Sequence, residues 1–187
     1  MNPPLSAVER AALLGVARAS LRHHLGLGPP PEIPDAGALG EPRGAFVTLY
    51  REGELRGCIG RFEPNGTLAR TVADMAVAAA SEDPRFPPVR TDEADELSLR
   101  ISALGARERL RDASDLRVGE HGLLVRRGFH RGTLLPVVAV ERGWDAPTFL
   151  KHACLKAGLP PDAWRDADTV VEIFGAEEFG DPEPATT

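Results

Sequence analysis

Apolar residues recur along the chain with two periods, and the switch between them marks out the elements. From Ala7 to His24 the chain is rich in Ala and Leu and opens on Ser6-Ala7-Val8-Glu9. That opening has the form of a capping box, so the spacing predicts a helix over Ala7–His24, stopped by Gly26 and Gly28. Leu68, Val72, Met75, Ala76 and Ala79 share a helical face and predict an amphipathic helix over 67–80. Asn65 or Thr67 can cap it, and Asp83-Pro84 ends it. Period-two alternation predicts strands over 45–50 and 55–60, joined as a hairpin at Arg51-Glu52-Gly53-Glu54. Leu97, Leu99, Ile101 and Ala103 alternate with Ser98, Arg100 and Ser102, the pattern of a half-buried strand.

Further on, 123–126 and 132–135 form a second hairpin about Gly128, followed by a short helix over 136–142 that Gly143 ends. Asp145 caps another helix, on which Phe149, Leu150, Ala153, Cys154 and Ala157 share one face up to Gly158. A last strand over 169–174 precedes an acidic, proline-containing tail, 181–187, expected to fray. Two stretches have little periodicity. Residues 28–44 are proline-rich and read as a long surface loop, and 105–118 are charged, reading as a short helix or an excursion between lobes. Strands and helices are mixed and hairpins set antiparallel pairing. The fold class is therefore α+β: a mixed, largely antiparallel sheet with packed helices and a smaller second lobe, in one domain over 1–180.

Length and charge narrow the function classes. A chain of 187 residues can bury one sizeable core, or two small lobes sharing a sheet. A net charge of −6 argues against broad nucleic-acid binding, which depends on clustered Lys and Arg. No apolar run approaches the roughly 20 residues that cross a bilayer, and the N-terminus has no basic and apolar leader. Two cysteines without a CxxC spacing read as reduced thiols, so a cytoplasmic location is expected, with no membrane and no nucleic-acid partner.

One stretch is arranged for chemistry, Leu55-Arg56-Gly57-Cys58-Ile59-Gly60. Strand alternation puts Arg56, Cys58 and Gly60 on one face. An arginine there favours the thiolate, the reactive form of cysteine, and makes Cys58 the candidate nucleophile or attachment point. Against this stands the ordinary behaviour of a lone strand cysteine, which packs as a small hydrophobe. Arg56 can take a carboxylate or phosphate in its planar fork, or lie exposed on an edge strand. Gly57 and Gly60 leave room for a ligand or for a second backbone. His121, between Glu120 and Gly122, is a candidate general base, or a turn histidine satisfied by backbone.

Asp83 and Arg85 flank Pro84 in the stiff loop Ser81-Glu82-Asp83-Pro84-Arg85-Phe86-Pro87-Pro88, as ligand-binding candidates or as a local pair bracing the loop. His23, His24, His130 and His152 show no ligand spacing, so no metal site is predicted. The GxxG within 57–60 clamps nucleic-acid backbones only between helices above a basic groove, and here it lies in a strand of an acidic chain. Cys154 is a core residue by its helical face, and Trp144 and Trp164 read as packing anchors.

Taken together, these motifs resemble the AMMECR-type domain family, also called AmmeMemoRadiSam system protein A. The likeness rests on Leu55 to Gly60, then on Asp83-Pro84-Arg85-Phe86-Pro87-Pro88, then on His121-Gly122. It continues through Leu134-Leu135-Pro136-Val137, Glu141 and Trp144, and from Phe149-Leu150 to Lys156-Ala157-Gly158. The resemblance implies a compact α+β fold with a smaller lobe. It also implies partnership with a radical S-adenosylmethionine protein and a Memo-type protein, and assigns no cofactor. Two functional readings are then open. In the first, the chain is an accessory or small-molecule-binding component of that system, with Cys58 and Arg56 in the site. In the second, it is a thiol-dependent enzyme using Cys58 as nucleophile.

Overall fold

The first helix forms where the capping box places it. In α1 (Ala7–His24) the Ser6 side chain accepts from Glu9 N, and the Glu9 carboxylate accepts from Ser6 N in return. The computed structural model describes residues 4–181, and the chain divides into two units. One unit runs up to Leu104 and resumes at Glu177; the other is 105–176.

In the first unit, β1 (Ala45–Arg51) and β2 (Glu54–Arg61) form the expected hairpin. Glu52 and Gly53 both have positive φ, 53° and 81°. Two consecutive left-handed residues make the tight turn whose twist suits a hairpin, and the glycine takes the second place without strain. β1 also pairs antiparallel with the first part of β3 (Leu97–Arg109). Ala45, Val47 and Leu49 point inward against α2 (Leu68–Ser81), which Thr67 caps by accepting from Arg70 N. α1 packs on α2 in turn, and Leu13, Leu21, Leu68, Val72 and Ile101 fill the core between them and the sheet.

In the second unit, β4 (His121–Arg127) pairs antiparallel with β5 (His130–Leu134) and with β6 (Val170–Gly180). α3 (Pro136–Glu141) and α4 (Ala146–Lys156) come next in the chain, the latter capped by Asp145 as expected. Phe149, Leu150, Ala153 and Cys154 on α4 are fully buried with Leu123 and Val125. The strands take the order β2-β1-β3-β6-β4-β5 in one six-stranded sheet. The fold is α+β.

Two boundaries differ from the sequence reading. Residues 105–109 are neither helix nor excursion but the continuation of β3, and the stretch from there to β4 holds a single 3-10 turn, Ala113–Asp115. β6 likewise does not stop at 174 but runs to Gly180. Its acidic end is held by partners far away in sequence. Glu177 accepts from Leu5 N and pairs with Arg10 and with the buried Arg43. Asp181, counted with the tail in sequence, accepts from Leu99 N and pairs with Arg18. Residues 182–187 of that tail lie outside the described residues. Among the described residues no helix is long and apolar enough to cross a membrane.

Candidate functional site around Cys58

β2 is an edge of the sheet, so alternate backbone N–H groups on it face away from β1 and need another partner. At Cys58 that partner is a side chain. Cys58 N donates to Oδ2 of Asp83 at 2.8 Å. Asp83 stands just past the end of α2 and is 5% exposed, so its charge requires compensation. Arg85 supplies it: Nε and Nη2 donate to the carboxylate at 2.9 and 2.7 Å, and Arg85 N adds a third bond at 3.1 Å. The Arg85 bonds, with the backbone bond from Cys58, hold the Asp83 carboxyl far below the usual carboxylate range against the effect of burial. Arg85 is held above its ordinary value, chiefly by its hydrogen bonds to the Asp83 carboxylate. Its side chain is 55% exposed, with the guanidinium over the Phe86 ring.

The sulfur itself faces Thr48, the cross-strand partner of Cys58, whose hydroxyl donates to Sγ at 3.2 Å. Cys58 is half-buried. Thr48 pairs on its other side with Arg100, so a thiol, a hydroxyl and a guanidinium-bearing residue lie in one row across three strands.

Arg56 is engaged elsewhere. Its fork grips Glu93, Nε to Oε1 at 2.9 Å and Nη2 to Oε2 at 3.0 Å. Nη1 and Nη2 also donate to the carbonyls of Pro87 and Pro88. Glu93 receives Arg51 and Arg90 N as well. These bonds, the Arg56 pair foremost, lower its carboxyl from 4.5 to about 2. Arg56 therefore fastens the proline loop to β2 rather than pointing at the thiol. A break in register between Leu49 and Tyr50 accompanies this, interrupting the strict alternation assumed from sequence.

The glycines have different neighbours. A Cβ on Gly57 would lie 2.1 Å from the carbonyl oxygen of Ala79, so the second backbone admitted here is α2. A Cβ on Gly60 would lie 2.1 Å from the ring of Phe46, its cross-strand partner, which packs edge-on against Phe62.

His121 belongs to the other unit, 105–176. Its Nδ1 accepts from Arg117 N at 3.2 Å, and the ring lines an open depression of about 900 Å³ with Glu108, Arg117 and Glu120. Burial, then the Arg117 charge, lowers its pKa below the ordinary imidazole value. Among the described residues no group of three His, Cys, Asp or Glu is placed to hold a metal. Sequence reasoning missed Thr48 and Glu93. The two-residue turn alone would place Val47 opposite Cys58; the register break between Leu49 and Tyr50 brings Thr48 there instead, and alternation gives no sign of it. Glu93 carries no signal of its kind, because only folding brings it to Arg56.

The AMMECR1 family model matches residues 14–179. A protein of Methanothermobacter thermautotrophicus is 44% identical over 186 residues, covering 94% of this chain and 96% of its own. One of Methanopyrus kandleri is 42% identical over 194 residues, with 98% and 94% covered. The crystal structure of the uncharacterized protein PH0010 from Pyrococcus horikoshii aligns with a TM-score of 0.80 at 40% identity, over 94% of this chain and 92% of that one.

Proposed function

The chain belongs to the AMMECR1 family, and from that membership we propose that it is an accessory, small-molecule-binding component of a radical S-adenosylmethionine and Memo-type system. Cys58 and Arg85 form the face that meets the ligand, and Arg56 positions the loop carrying Arg85. The observation that carries this reading is the buried Asp83 carboxylate, which binds Cys58 N and the Arg85 guanidinium together. It fixes an exposed cation beside a half-buried thiol on the edge strand, a setting suited to an anionic small molecule. Binding is favoured over catalysis by Cys58 because the group bonded to its sulfur is a hydroxyl donor, not a base. The partner proteins enter through family membership alone.

Two alkylating probes of similar size test the site. Iodoacetate carries a negative charge and iodoacetamide does not, so an anion subsite at Arg85 raises the ratio of their rates at Cys58. We expect that ratio to exceed the ratio for a free thiol, and to fall towards it in Arg85→Gln. A ratio equal to the free thiol's in the native protein overturns the site. Co-expression with the two partner proteins tests the assembly: retention of either on the tagged chain supports it, and loss of both from native and Cys58→Ser protein alike counts against it.

A further inference from the structure

We infer a second anion-binding site in the 105–176 unit, independent of Cys58, that takes a small phosphate-bearing molecule between Arg109, Arg111 and Arg165. These three residues line a depression of about 440 Å³, within the range of small-molecule sites. Its wall also holds Thr169, whose residue is 5% exposed and whose Oγ1 is buried with no hydrogen-bond partner among the described residues. A buried hydroxyl without a partner is uncommon, and each such group calls for an explanation. A bound oxyanion supplies one, because its oxygens accept from a hydroxyl as well as from guanidinium groups.

The charge on the wall is consistent with this. Two carboxylates line the depression, and both are occupied. Asp112 accepts from Ser114 N and Oγ, and Asp166 pairs with Arg127 at 2.7 Å. Neither Arg109 nor Arg111 is paired with a carboxylate among the described residues. Arg165 lies over the indole of Trp164 at 4.3 Å, a contact that fixes its plane without neutralising its charge. Three cations whose charge is not cancelled at the wall, together with a hydroxyl lacking a partner, fit a phosphate better than a neutral or cationic ligand. Backbone bonds hold the frame: Leu110 N donates to Val171 O, and Thr169 N to Asp166 O.

The test uses the full chain with inorganic phosphate, against chloride at matched ionic strength, and reads both thermal melting and amide chemical shifts. Phosphate is expected to raise the melting temperature in a saturable way and to move amides within 109–113 and 163–171. Arg111→Gln, at an exposed position, should weaken phosphate binding about tenfold or more. Thr169→Val keeps the shape and removes the unpartnered hydroxyl, so the variant should melt no lower than the native chain without phosphate, yet respond less to it. Free phosphate and a phosphate monoester are distinguished by repeating the titration with glycerol phosphate, and tighter binding of either supports the site. Equal responses to phosphate and chloride overturn the proposal. So does an undiminished phosphate response in both variants, or shifts confined to other residues.

Discussion

A single missing atom decides much at Gly57. The Cβ of an alanine there would sit 2.1 Å from Ala79 O, a backbone oxygen of α2 that cannot turn aside. At Gly60 the equally close neighbour is an aromatic ring, which can rotate or shift with its partner Phe62. Overpacking against backbone costs more than overpacking against a movable side chain. Gly57→Ala should therefore lose about 3 kcal/mol of stability and Gly60→Ala about 1 kcal/mol, read from urea unfolding midpoints at constant slope. Equal losses would show that α2 yields as easily as the Phe46 ring. The motif's two glycines thus have separate roles, although in sequence they are indistinguishable.

At the scale of elements, the Arg56–Glu93 pair fastens the loop after α2 to the edge strand. Glu93 is lowered from 4.5 to about 2 in the folded chain, so protonation favours the unfolded one. The stability it contributes is whole above about pH 5 and is lost as the pH falls from 4.5 through 2. Glu93→Gln should cost roughly 2–3 kcal/mol at pH 7, and the gap from native protein should close as the pH approaches 2. A gap that stays constant with pH would assign the loss to shape rather than charge. Elements whose partners lie nearby in sequence were legible: the capping box of α1, the Glu52-Gly53 turn and the apolar face of α4 all rest on local spacing. The ends of β3 and β6 were not, because their charged residues find partners only across the fold, as Glu177 does with Arg43. The same holds at the site. Cys58 and the Asp83-Pro84-Arg85 loop announce themselves in sequence, whereas the diversion of Arg56 to Glu93 depends on a register break that alternation cannot foresee.

At the scale of the molecule, the two cysteines fall one in each unit and report on different things. Cys58 is half-buried at an edge, so labelling there reads the site in the folded state. Cys154 is fully buried on the inward face of α4, among Phe149, Leu150 and Ala153. Burial raises its thiol above the ordinary value, which slows reaction further in the folded chain. A reagent therefore reaches Cys154 only when that core opens, and its labelling rate tracks the population of the open form. The rate at Cys154 should rise exponentially with urea, with a slope close to that of unfolding monitored by circular dichroism. The rate at Cys58 should be far higher in buffer and nearly flat below the transition. A Cys154 rate that is flat with urea would mean that α4 detaches locally, exposing little surface. A slope equal to that of global unfolding would make Cys154 a stability gauge for the 105–176 unit, against which phosphate binding there can be measured without reference to Cys58.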